Sequence, residues 1–256
     1  MAQIDFNVLK ASDDSEIRKQ VKAKNEEIGG TRLDYMSEPH VACCLLVDTS
    51  SSMASNGKIN QLNNAIRNFK TTICEDALSS KRVDVCVISF DSKVSIVSPF
   101  CPIREFDPPT LSTTGMTCMG AGIRFALETV HEQIRKYHDV GVDCYKPFIL
   151  MITDGFPTDD IADIDKLIAT RESEGRYGHL RFHAFGVEGA DMQLLSRLTH
   201  RVLAVDDNAF DQIFNWTSET MKIISHSKTS DNVVGADLPE KLFPYDPKTK
   251  KVPWAD

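Results

Sequence analysis

Residues 40–47 (HVACCLLV) form a nearly uninterrupted apolar run, the pattern of a strand buried on both faces of a parallel sheet rather than one alternating between core and solvent. That run constrains the fold, because parallel neighbours are joined by long crossovers, usually helices, that cover the sheet. The next segment supplies one. Ile59, Leu62, Ile66, Phe69 and Ile73 recur at steps of three and four and share one helical face. Residues 83–90 read as a second strand, and 94–97 as its partner after the link Asp91-Ser92-Lys93. So short a link joins only antiparallel strands. The alternation then repeats. Ile123, Leu127, Val130 and Ile134 mark a helix, 148–152 a strand, Ile161, Ile164, Leu167 and Ile168 a helix, and 180–185 a strand. A short helix at 191–198, a strand at 201–205 and a helix from 209 to about 225 follow. The expected architecture is α/β, a doubly wound, mostly parallel sheet with helices on both faces and one antiparallel edge strand.

This pattern occupies residues 39–226. Residues 1–38 read as a polar arm with one weakly helical stretch ended by Gly29-Gly30. Residues 227–256, with prolines at 239, 244, 247 and 253 among lysines, read as an extended C-terminal tail. No apolar run approaches the roughly 18 residues of a membrane span, and the first residues lack the pattern of a secretory signal. The expected location is therefore cytoplasmic. Seven cysteines without a CxxC pair argue against a disulfide framework or a zinc site. Cys43, Cys44 and Cys86 fall inside strands, where a thiol serves as a small hydrophobe. A net charge of -8 disfavours non-specific nucleic-acid binding.

Ligands of doubly wound sheets bind beyond the carboxyl ends of the strands. The first strand runs into Asp48-Thr49-Ser50-Ser51-Ser52, the strand at 148–152 into Thr153-Asp154-Gly155, and the loop before Met119 contains Ser112-Thr113-Thr114-Gly115-Met116-Thr117. Taken singly, such residues are turn and N-cap formers. Together they bring hydroxyls and carboxylates to one rim. Hard oxygen donors with few charges suit Mg²⁺, with Mn²⁺ or Ca²⁺ as alternatives, rather than Zn²⁺. Asp159-Asp160 read as a turn or helix N-terminus. His131 and His138 lack the second histidine of HExxH.

Asp48-x-Ser50-x-Ser52, Gly115-Met116-Thr117 and Thr153-Asp154-Gly155, in that order, resemble the three motifs of von Willebrand factor A (VWA) domains that carry a metal-ion-dependent adhesion site (MIDAS). The resemblance implies that Ser50 and Ser52 ligate a divalent ion directly, Thr117 directly or through water, and Asp48 and Asp154 through water and hydrogen bonds. It also implies a binding module whose open coordination position is filled by a partner's Asp or Glu. The rim candidates for selecting that partner are Met53, Asn56, Asp91, Met116 and Phe156. The Phe214-Asn215-Trp216 stretch resembles the bacterial tellurium-resistance-associated, TerY-like group, which implies kinase-like, phosphatase-like or ATPase partners in stress response or defence, while the charge and the lack of a long apolar run give the expectation of neither nucleic acid nor membrane as partner.

Enzyme readings each fail at a residue. A haloacid-dehalogenase-type phosphatase needs Asp-x-Asp, and Ser50 stands at the second aspartate, where it cannot act as general acid. Ala121-Gly122 stands where a P-loop needs Lys-Ser/Thr. No GxSxG serine-hydrolase motif occurs. The expectation is therefore a protein that is not an enzyme. Phosphoryl transfer and a scaffold with a vestigial site are the alternatives.

Overall fold

Both faces of the first strand are covered, as its sequence requires. The computed structural model describes residues 38–173, 180–231, 233 and 235–254, with Lys19 and Ala23. The remainder of the expected arm lies outside the described residues. In chain order the elements are β1 (Val41–Asp48), a 3-10 turn (Ser51–Gly57), α1 (Lys58–Glu75), α2 (Ser79–Arg82), β2 (Val83–Phe90), β3 (Val94–Pro102) and α3 (Met119–Asp139). Then come β4 (Phe148–Thr153), α4 (Ile164–Ser173), β5 (Arg181–Gly186), α5 (Met192–Leu198), β6 (Val202–Val205), α6 (Phe210–Ser225) and β7 (Leu242–Pro244).

The sheet order is β3-β2-β1-β4-β5-β6-β7. All pairings are parallel except the two at the edges, β2 with β3 and β6 with β7. The side chains of β1 divide by parity, as period-two geometry demands. Val41, Cys43, Leu45 and Val47 enter one core with Leu62, Ile66, Phe69 and Ile73 of α1 and Ile213, Phe214 and Trp216 of α6. Ala42, Cys44 and Leu46 enter the other with Ile123, Val130 and Ile134 of α3, Ile168 of α4 and Leu195 of α5. Burying each such aliphatic side chain contributes roughly 1.5–3 kcal/mol. Cys43, Cys44 and Cys86 are buried free thiols, and burial pushes the Cys43 and Cys86 thiols above the ordinary range.

Two edges differ from the sequence expectation. β3 continues past Val97 to Pro102, because an edge strand tolerates Pro99 and the register shifts between Val85 and Ile88 absorb it. β7 is a second antiparallel edge drawn from the tail, with Leu242 buried. The tail reaches it across α6, where Trp216 Nε1 donates to Ala236 O at 2.9 Å and Ala236 N donates to Thr220 Oγ1 at 3.1 Å. Ile161 precedes α4 rather than opening it. Among the described residues no helix is long and apolar enough to cross a membrane.

β1 connects to β2 on one side and is paired with β4 on the other. The crevice of the fold therefore opens between the carboxyl ends of β1 and β4.

His183 on β5 is packed between aromatic rings, stacked on Phe148 at 5.9 Å and edge-on to Trp216 at 5.2 Å. Burial, with Arg201 and Arg181 nearby, lowers its pKa to about 3, against about 6.5 in an unfolded chain. The folded-state pKa is depressed, so the unfolded chain takes up the proton first. Stability is therefore lost as pH falls from about 6.5 toward about 3. Denaturant titrations at about pH 7 and about pH 5 are expected to show the wild type losing about 2 kcal/mol more than His183→Phe. Equal losses in both chains would contradict this assignment.

Candidate metal centre

The hydrogen bonding of the site begins with Asp48 at the end of β1. β1 and β4 lie side by side with Val47 opposite Ile152, so Thr153 arrives next to Asp48 and its Oγ1 donates to Asp48 Oδ2 at 2.6 Å. The other oxygen, Oδ1, accepts the Ser50 N–H at 2.8 Å, a local turn that starts the 3-10 segment. The Ser50 and Ser52 hydroxyls are then 3.0 Å apart, and Ser52 Oγ donates to Asp154 Oδ1 at 2.6 Å. Asp154 Oδ2 accepts from Lys58 Nζ at 2.7 Å, and the same ammonium reaches Glu188 O at 2.8 Å.

The third loop is clamped to the other two. Gly115 O accepts from Ser51 N at 3.2 Å and from Ser51 Oγ at 3.0 Å, and Thr114 N donates to Thr49 O at 2.8 Å. Thr117 N donates to Thr158 Oγ1 at 3.2 Å while Thr158 N donates to Thr117 O at 2.9 Å. Asp159 caps α3 from across the rim, accepting from Gly120 N at 3.0 Å and Ala121 N at 2.7 Å. The approach is close enough that a Cβ on Gly120 would lie 2.3 Å from Asp160 O. A Cβ on Gly155 would lie 3.1 Å from Thr117 Oγ1 and 3.4 Å from Asp48 Oδ2, so Gly155 marks the point where the three loops meet.

Asp48, Ser50, Ser52, Thr117 and Asp154 are thus brought to one place, all buried except the exposed Ser52. Burial raises the Asp48 carboxyl to about 6, with the Ser50 and Thr153 hydrogen bonds pulling it down and Asp154 pushing it up. A nearby cation would favour its charged form. Among the described residues no group of three or more His, Cys, Asp or Glu could hold a metal, so an ion here must rely on hydroxyls. Three hydroxyls and two carboxylates, with no sulfur or imidazole, fit a hard divalent cation that keeps part of its water.

The rim residues divide. Met116 and Phe156 are 58% and 61% exposed and Asn56 is exposed, its backbone left-handed at φ 52°. Met53 is a correction. It is fully buried in the α1-side core, because the 3-10 turn directs it inward and a large apolar side chain gains most there. Asp91 is half-buried and holds its own turn, accepting from Lys93 N at 2.9 Å and Thr49 Oγ1 at 3.3 Å. It lines a cavity of about 150 Å³ with Thr49, Ser112 and Thr114.

Three residues went unnoticed or were misplaced in the sequence. Thr158 gave no signal beyond being a hydroxyl after the third motif, and Asp159 caps α3 rather than its own segment. Lys58 did carry one. It opens α1, where a positive charge opposes the helix dipole and needs a reason.

No family model matches the sequence, and no curated protein matches it significantly. Solved structures do match. The pilus adhesin SpaC from Lactobacillus rhamnosus GG aligns at TM-score 0.56 and 15% identity over 76% of this chain and 32% of that one. Proximal thread matrix protein 1 from the mussel byssus aligns at 0.50 and 16%, over 73% and 47%. The PilB minor pilin of Streptococcus sanguinis aligns at 0.51 and 13%, over 73% and 62%. The fold is that of a VWA domain. The chain spans less than two thirds of the length of each of these proteins.

If this rim is a working metal site, Mg²⁺ at a hundred times its dissociation constant stabilises the fold by about 2.7 kcal/mol, or roughly 5–10 °C in melting temperature. Asp48→Ala is expected to abolish that rise, and Gly155→Ala to reduce it by crowding Thr117. A rise of equal size in Asp48→Ala would place the ion elsewhere.

Proposed function

We propose that this VWA domain is a metal-dependent protein-binding module, holding Mg²⁺, with Mn²⁺ or Ca²⁺ as alternatives, to capture an acidic residue of a partner. The observation that carries the reading is the state of its two carboxylates. Both Asp48 oxygens accept hydrogen bonds, from Thr153 and Ser50, and both Asp154 oxygens do, from Ser52 and Lys58, which holds the two carboxylates beside the hydroxyls. The motif resemblance makes the neutral hydroxyls of Ser50, Ser52 and Thr117 the direct ligands, with the carboxylates acting through water on their remaining lone pairs. When bound, the ion supplies a poorly compensated positive charge at the mouth of the crevice. The chain's own residues orient that charge and leave room beside it for an incoming Asp or Glu.

Met116 and Phe156 support the same reading. Two large apolar side chains exposed beside a polar site offer anchors whose burial by a partner is favourable. The site supplies no nucleophile with an adjacent base and no general acid at Ser50, so the module is read as non-enzymatic. The resemblance of its motifs and of Phe214-Asn215-Trp216 to TerY-like proteins supports a cytoplasmic role in a tellurium-resistance type of stress response or defence system. There the partners would be kinase-like, phosphatase-like or ATPase proteins.

Pull-downs with the wild-type chain in Mg²⁺ are expected to retain a partner that is lost with EDTA and with Thr117→Ala. Phe156→Ala should weaken binding by roughly tenfold without touching the metal. Retention that survives both EDTA and Thr117→Ala would sink the reading. So would metal-dependent phosphoester turnover that disappears in Asp48→Ala.

A further inference from the structure

Lys58 occupies a position that three physical arguments disfavour. It opens α1, at the positive end of the helix dipole. Its side chain is 5% exposed, although lysine is almost never buried unless paired. It also sits one carboxylate away from a rim suited to a cation. Asp154 bridges the two, with Oδ1 on Ser52 and Oδ2 on the ammonium. A site shaped only for metal affinity would leave that carboxylate uncompensated.

The charge count gives the position a purpose. Asp48 and Asp154 contribute two negative charges and Lys58 one positive, so the site carries a net charge of about minus one. Asp91 and Asp159 also flank the rim and keep their charges, but their hydrogen bonds go to Lys93 N with Thr49 Oγ1 and to the first amides of α3, so the count is of the linked set Asp48, Ser50, Ser52, Asp154 and Lys58 alone. A divalent ion therefore leaves the site at about plus one. Without Lys58 it would be near neutral and would have little attraction left for an anion.

We propose that Lys58 is the specificity-setting cation of this site: it lowers metal affinity and in return makes the bound ion selective for a carboxylate ligand. This deepens the metal-dependent binding reading and rests on it. The coupling is reciprocal, because a carboxylate that binds better to the loaded site must raise metal affinity by the same factor.

The test is calorimetric titration of Mn²⁺ into the full chain, with and without acetate at matched ionic strength. Acetate stands in for the partner's side chain. Four chains are compared with the wild type: Lys58→Gln, Lys58→Met, Lys58→Arg and Asp48→Ala. In Lys58→Gln, which keeps a donor for Asp154 and Glu188 O but removes the charge, Mn²⁺ affinity in the absence of acetate should rise at least about threefold, the effect of one unit charge a few ångströms away even in a water-like dielectric. The gain that acetate gives the wild type should disappear. Lys58→Arg keeps the charge and should keep the acetate gain. Lys58→Met removes the charge on an unbranched apolar side chain and should lose the acetate gain as Lys58→Gln does. It also keeps the test open should Lys58→Gln alone fail to fold.

Unchanged metal affinity and an unchanged acetate gain in Lys58→Gln, with binding lost in Asp48→Ala, would overturn this proposal and leave the metal site standing. Loss of the acetate gain in Lys58→Arg as well as in Lys58→Gln would assign Lys58 a structural role and overturn it as well. No Mn²⁺ binding by the wild type would overturn both readings.

Discussion

The hydrogen bond from Thr153 to Asp48 joins the ends of two strands that are far apart in sequence and adjacent at the centre of the sheet. The rest of the rim depends on it. With Asp48 fixed, its second oxygen turns the chain at Ser50, the turn sets Ser52 beside Ser50, and Ser52 meets Asp154 from the neighbouring strand. A carboxylate this deeply buried is costly unless its lone pairs are met, and here the loops that meet them are also the loops that carry the hydroxyls. The contacts that satisfy the carboxylate also set the hydroxyls side by side.

The doubly wound core was legible because both of its periods are written plainly. The apolar residues of β1 feed two cores by alternation, and those of α1 and α3 follow the helical repeat. Edges were harder to read. Pro99 in β3 and Pro244 in β7 look like strand breakers, and only the knowledge that a strand lies at an edge makes them tolerable. β7 is also just three residues long, too short for any period to register.

At the site, the sequence disclosed the residue types and their loops because each motif is local. What it concealed was contact across the chain. Lys58 and Asp154 are 96 positions apart, and Asp159 caps a helix that begins 40 residues before it. The exposure of single loop side chains is likewise set by tertiary packing, which is why Met53 lies in the core while Met116 projects from the rim. Lys58 remained visible as a local inconsistency, a cation where the helix dipole disfavours one, and such inconsistencies concentrate at functional positions.

Placing a metal ion directly tests the central claim, that three neutral hydroxyls at the β1–β4 crevice are the inner ligands of a divalent cation. Crystals grown with Mn²⁺ and measured at its absorption edge would give an anomalous map of its position. The account predicts one strong peak bonded to the Ser50, Ser52 and Thr117 hydroxyls, with Asp48 and Asp154 in support and water at the open position. A crevice without a peak, or a peak held by Asp91 or Asp159 instead, would contradict it.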